Sequence, residues 1–212
     1  MRYAQDPRRG HAVVNPQQKE KITYALWHRI AFVSGTTVQL TYFNVGTSGA
    51  DGNIPPAGQL QSANSFLVQS IRIAPQLQPR EAAAAAPAAG TIAGPIEDMF
   101  QIINTGAATF KVGDKEYGRW PIWMLPAGGG VGGIALAFGN AEAAATVQEV
   151  SFAVNGATDP RQVYSLQVPI LIPPQYSFSL TLNWPAIITL TGFTTSVFIT
   201  CVLDGTLIRP GQ

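Results

Sequence analysis

The side chains able to do chemistry are few, and their spacing keeps them apart. There are two histidines, His11 and His28, and one cysteine, Cys201. His28 falls on the apolar side of an alternating run, where a hydrogen-bonded core histidine is expected. With one distant cysteine, these residues give no zinc-type ligand spacing. Cys201 sits among apolar neighbours and reads as a small buried hydrophobe, since a catalytic thiol needs an adjacent base and an electropositive setting. A single cysteine also rules out an internal disulfide. The carboxylate pairs Glu97/Asp98 and Asp114/Glu116 are explained by a helix start and a turn. Gly128, Gly130 and Gly133 match G-x-G-x-x-G, but without the strand before and helix after that a dinucleotide site needs. No G-x-S-x-G occurs. The expectation is therefore no catalytic residues, no cofactor-binding residues and no metal site: not an enzyme.

Two groups remain. Trp120 and Trp123, three apart in a proline-flanked segment, suit a subunit contact; a sugar-stacking platform is the other reading. Arg2, Arg8, Arg9, Lys19 and Lys21 give the N-terminal stretch an excess of positive charge. A cationic segment of this kind neutralises phosphates on nucleic acid or lipid, or else clasps a neighbouring subunit.

The elements that must position these residues are strands. From Gln162 to Leu203 there is no Asp, Glu, Lys or Arg. Within that stretch Val163–Ile172 ends at Pro173-Pro174. Tyr176, Phe178, Leu180, Leu182 and Trp184 then alternate with Ser177, Ser179, Thr181 and Asn183. Thr195–Leu203 follows, with Val197, Ile199, Cys201 and Leu203 on one side. A period of two sends successive side chains to opposite faces of a strand. The polar side is neutral and hydroxyl-rich where a solvated strand would carry Lys and Glu, and that suits a surface lying against other protein.

Earlier in the chain Ile22–Val33 alternates, with Ile22, Tyr24, Leu26, His28, Ile30 and Phe32 on one side. Val38, Leu40 and Tyr42 form a second strand, residues 44–58 a loop, and Phe66–Ile73 a third strand. Residues 79–94 are alanine-rich, and Pro87 and Gly90 favour a surface loop over a helix. Pro95 opens a short helix whose apolar stripe is Ile96, Met99, Phe100 and Ile103. Thr109–Val112 turns at Gly113-Asp114-Lys115 into a return strand at Glu116-Tyr117, and Trp120–Leu125 leads into a glycine-rich loop. Ile134, Leu136 and Phe138 alternate, as do Val150, Phe152 and Val154. Eight to ten strands, one helix and no αβ repeat predict an all-β fold. It is an antiparallel β sandwich, a single jelly roll of about eight strands with one short helix.

The chain has 212 residues, enough for one domain, and only 12% are charged, about half the usual quarter. Its expected division is an N-terminal arm over 1–21 and a jelly-roll domain over 22–212. No secretory signal is visible. The charge-free windows are too rich in proline and glycine, or too strictly alternating, for a membrane helix.

Segments of the chain resemble the single jelly-roll capsid and virion structural proteins of tailless icosahedral bacteriophages. They are AGQL and SFLVQSI (57–60 and 65–71), SLTLNWP (179–185) and the closing VLDGTLIRPGQ (202–212). The resemblance implies a capsid subunit that associates with copies of itself into a shell, without catalytic residues, and sits in a virion assembled in the host cytoplasm. It also implies other virion proteins as partners, and nucleic acid or an internal membrane as possible contacts of the N-terminal arm. Two other readings stay open: a decoration, spike or head–tail protein, and a carbohydrate-binding β-sandwich module.

Overall fold

Alternation in the sequence becomes two antiparallel sheets. The computed structural model describes residues 4–5, 12–13, 19–55, 58–76, 95–127, 132–139, 147–154, 163–190 and 196–210. Its strands in the first half are β1 (Ala4–Gln5), β2 (Ala12–Val13), β3 (Lys19–Val33), β4 (Gln39–Tyr42) and β5 (Ser65–Gln76). After helix α1 (Pro95–Thr105) come β6 (Ala107–Val112), β7 (Lys115–Pro121), β8 (Gly132–Gly139) and β9 (Val147–Val154). The last three are β10 (Ser165–Ile172), β11 (Phe178–Asn183) and β12 (Ser196–Pro210).

One sheet runs β10-β5-β12-β3 and the other β4-β11-β6-β7. The pairs β1–β2 and β8–β9 are separate hairpins. Taken in chain order, the eight sandwich strands pair first with eighth, second with seventh, third with sixth and fourth with fifth. That is one antiparallel ribbon, folded at Gly113-Asp114, where Gly113 adopts φ +57. The ribbon is then rolled so that β12 also meets β5 and β11 also meets β6. The protein is a jelly roll, an all-β sandwich with eight strands among the described residues.

The core lies between the sheets, where Phe32, Phe66, Phe110, Leu180, Val197 and Leu203 are fully buried. Each such side chain contributes about 1.5–3 kcal/mol. Tyr176, expected on the dry side with Phe178, is instead exposed, because β11 begins only at Phe178.

Two boundaries differ from the reading of the sequence. β3 begins at Lys19, so Lys19, Glu20 and Lys21 pair with Pro210, Arg209 and Ile208 instead of belonging to an arm. β12 also continues past Leu203 to Pro210. The charges that seemed to end the pattern are neutralised locally. Asp204 accepts Arg72 Nε at 2.6 Å, Arg72 Nη2 at 2.7 Å and the Ser70 hydroxyl at 3.0 Å, while Arg209 meets Glu20 at 2.7 Å. Gly205 fills the next core position, where a Cβ would overlap the Leu67 carbonyl oxygen. The alanine-rich stretch 79–94 lies outside the described residues, as do residues 1–3, 6–11 and 14–18 of the expected arm.

Strand directions sort the connections to two ends. At one end lie the β3–β4 turn, the β5–β6 connection with α1, the β7–β10 connection and the β11–β12 connection. The β4–β5 loop and the β6–β7 and β10–β11 turns lie at the other, with the start of β3 and the end of β12.

Candidate functional site

The end that carries α1 holds the strongest candidate surface. Within α1 the buried stripe is Met99 and Ile102, with Asp98 also buried, so Phe100 turns outward and is 42% exposed. The helix is fastened at its C-terminal turn, where Trp184 Nε1 donates to the Ile102 carbonyl at 2.8 Å. That carbonyl is in the last turn of the helix. Gly106 follows, and a Cβ there would collide with Ile122 and with the Trp184 ring at 2.6 Å. The chain returns at a single 3-10 turn, Ile122–Met124, held by Ile122 N–H to Gly106 O at 3.0 Å. Ile73 N–H donates to Leu125 O at 2.8 Å, which ties this turn to β5.

Between these pieces lies an apolar cavity of about 200 Å³, lined by Ile73, Pro75, Phe100, Ile103, Ile122 and Trp123, with Asn104 as its polar member. Trp123 is 57% exposed. At the same end Ile187 is 58% exposed, and Val33 and Val38 are also uncovered. On the sheet edge, β10 exposes Val168 (79%) and Leu171 beside Pro169, where Leu166–Pro169 bulge away from β5.

The two tryptophans do not form one platform. Trp120 is a strand residue opposite Ala108, partly buried against the core, and its ring lies against Gly118. Trp123 alone faces outward. Of the basic residues, Lys19 and Lys21 are exposed at the start of β3, next to the Glu20–Arg209 pair. Arg2, Arg8 and Arg9 lie outside the described residues.

The outward face of the second sheet carries two rows that are largely neutral, beside a charged one formed by Ser179, Lys111 and Glu116. Thr41, Thr181, Thr109 and Arg119 form one row across the second sheet, closed by Arg119 Nε to Thr109 Oγ1 at 3.3 Å. Gln39, Asn183 and Ala107 form the next. Apart from Arg119 at the end of the first, these are hydroxyl and amide rows that pair across strands without charge.

The groups with chemical potential are occupied structurally. His28 is only 4% exposed, and its Nδ1 accepts the Phe43 N–H at 2.9 Å, so the neutral ring carries its proton on Nε2. Burial lowers its pKa below the usual 6.5, opposed in part by the Asp51 carboxylate. Burial also pushes the Cys201 thiol well up, against a smaller opposing effect of its hydrogen bond with Tyr42. The Tyr42 hydroxyl donates to Ile199 O at 3.2 Å. Among the described residues no three His, Cys, Asp or Glu side chains come together as a metal site. Gly133 lies in a strand of an antiparallel hairpin, without the helix a dinucleotide loop requires.

The sequence pointed to Trp123 but missed Phe100, Ile187 and Val168. Phe100 sits at core spacing with Met99, and Ile187 and Val168 are lone apolar residues whose exposure only the tertiary fold decides. No protein-family model, curated protein or solved structure matches the chain.

Proposed function

We propose that this chain is a viral structural protein, a jelly-roll subunit that associates with copies of itself into the shell of a bacteriophage-like particle. The observation that carries the reading is the uncovered apolar surface at the α1 end, where the exposed Trp123 and Phe100 line an apolar cavity and Ile187 is exposed at the same end. An aromatic anchor beside a pocket is the arrangement that concentrates binding energy at protein interfaces. The neutral rows on the sheet face add area that contacts can cover without desolvating many charges.

The mechanism is association. Apolar area contributes about 25 cal/mol per Å², less the cost of immobilising each subunit, so single contacts are weak and a closed shell of them is strong. In this reading Arg2, Arg8 and Arg9, with Lys19 and Lys21 where the chain enters the sheet, meet nucleic acid, an internal membrane or a neighbouring subunit. Other virion proteins are further partners, and the virion is its location.

The test is sedimentation of native chain beside Trp123→Ala and Ile187→Ser. Native chain is expected as multimers, and each variant is expected to shift toward monomer with an unchanged circular dichroism spectrum. Variants that assemble like the native chain would remove this surface from the interface. A chain that stays monomeric alone yet binds pre-formed particles would make it a decoration, spike or head–tail protein.

A further inference from the structure

β3 is an edge strand, and half of its free edge is covered by the chain itself. The residues Phe43–Asn53 leave β4 and run back along β3. Arg29 N–H donates to Asp51 O at 2.8 Å, Asn53 N–H to Trp27 O at 3.1 Å, and Trp27 N–H to Asn53 Oδ1 at 2.8 Å. Asn53 Nδ2 donates to Ala25 O at 2.8 Å. The Ala25 carbonyl, both edge groups of Trp27 and the Arg29 N–H are thereby occupied by a strap, which blocks them from pairing with another strand.

The strap starts under strain. Phe43 has φ +67, a left-handed conformation that costs a bulky residue about 1–3 kcal/mol unless its surroundings hold it. What holds it is His28, through the buried bond from Phe43 N–H to Nδ1. The Phe43 ring stacks on Phe178, and the His28 ring meets Tyr42 and Phe43 edge-on. The titratable and charged groups around this imidazole are few. Asp51 lies on the strap, paired with Arg29 at 2.9 Å, Tyr42 is on β4, and Cys201 is opposite on β12.

We infer that the Phe43–Asn53 strap is an acid-released cover on the β3 edge, latched by His28 and opened when its imidazole takes up a proton. An imidazolium carries hydrogen on both nitrogens, so Nδ1 no longer accepts the Phe43 N–H and two donors face each other in a buried site. Phe43 then relaxes from its left-handed conformation, and the strap it begins moves off the edge. The exposed amides and carbonyls of Ala25, Trp27 and Arg29 become a strand-pairing site.

The linkage has a definite sign. The closed strap disfavours proton uptake at His28, so closure is complete above about pH 6.5 and weakens as pH falls below it. The test is amide hydrogen exchange of the full chain from about pH 7.5 to about pH 5, corrected for intrinsic rates. Trp27 and Arg29 are expected to lose protection about tenfold per pH unit below about 6.5, while remaining less protected than Leu180 of β11 throughout. In His28→Asn, whose side-chain oxygen replaces Nδ1 as acceptor but does not titrate, the loss is expected to vanish. Flat protection in the native chain overturns the inference. So does protection equal to that of Leu180, which means the edge opens only with the whole molecule. A loss that persists in His28→Asn but disappears in Asp51→Asn assigns the switch to the carboxylate and also overturns it. Should His28→Asn not fold, the ring resonances of native His28 decide the matter: titration in the same window as the lost protection supports the latch, and titration outside it refutes it.

Discussion

Trp184 Nε1 and the carbonyl of Ile102 are 2.8 Å apart, and this bond joins the β11–β12 connection to the last turn of α1. Trp184 and Ile102 are both buried, so loss of this donor removes a hydrogen bond from a buried setting. Trp184→Phe keeps most of the ring and removes the donor. It is expected to lower unfolding free energy by about 1–3 kcal/mol in urea titration, with the helix signal lost first.

Gly205 makes a second, stricter prediction. Its position opposite the β5 bulge leaves no room for a methyl group, and the obstructing atom is the Leu67 main-chain oxygen, which cannot rotate away. Gly205→Ala is expected to destabilise the chain by about 2 kcal/mol or more. Gly35→Ala offers a contrast: φ there is +72 but nothing lies within 4 Å of a new Cβ. Its cost is expected to be only the backbone strain, about 1 kcal/mol. Equal losses for the two would contradict the packing described here.

Cys201 supplies a reporter of unfolding. The thiol is fully buried and its pKa is raised by that burial, so the reactive thiolate is suppressed in the folded chain. Labelling by a thiol reagent at pH 8 is expected to track global unfolding, with the rate rising alongside denaturant. Rapid labelling of native chain would place Cys201 at a surface.

Much of the roll was legible in the sequence because two-residue alternation is a local signal. Phe178, Leu180 and Leu182 are buried as their spacing predicts, and Met99 marks the helix stripe. What was not legible depended on partners far along the chain. Asp204 looked like the end of a strand because Arg72, which neutralises it, is far earlier in the sequence. Lys19 to Lys21 read as the end of an arm because residues 1–21 carry prolines, glutamines and basic residues without periodicity. Their strand identity comes from pairing with Ile208, Arg209 and Pro210. Trp120 and Trp123 look equivalent in sequence, and only the end of β7 between them turns one inward and the other out. The strap on β3 had no local signal beyond turn residues, since its role is set by hydrogen bonds to a strand on the opposite side of the β3–β4 turn.

Self-association is the claim on which the functional reading depends. Light scattering from purified chain at high micromolar concentration, with electron microscopy of the same sample, addresses it directly. The account predicts multimers or closed particles. A monodisperse monomer, with Trp123 and Ile187 hydrated in solution, would contradict it.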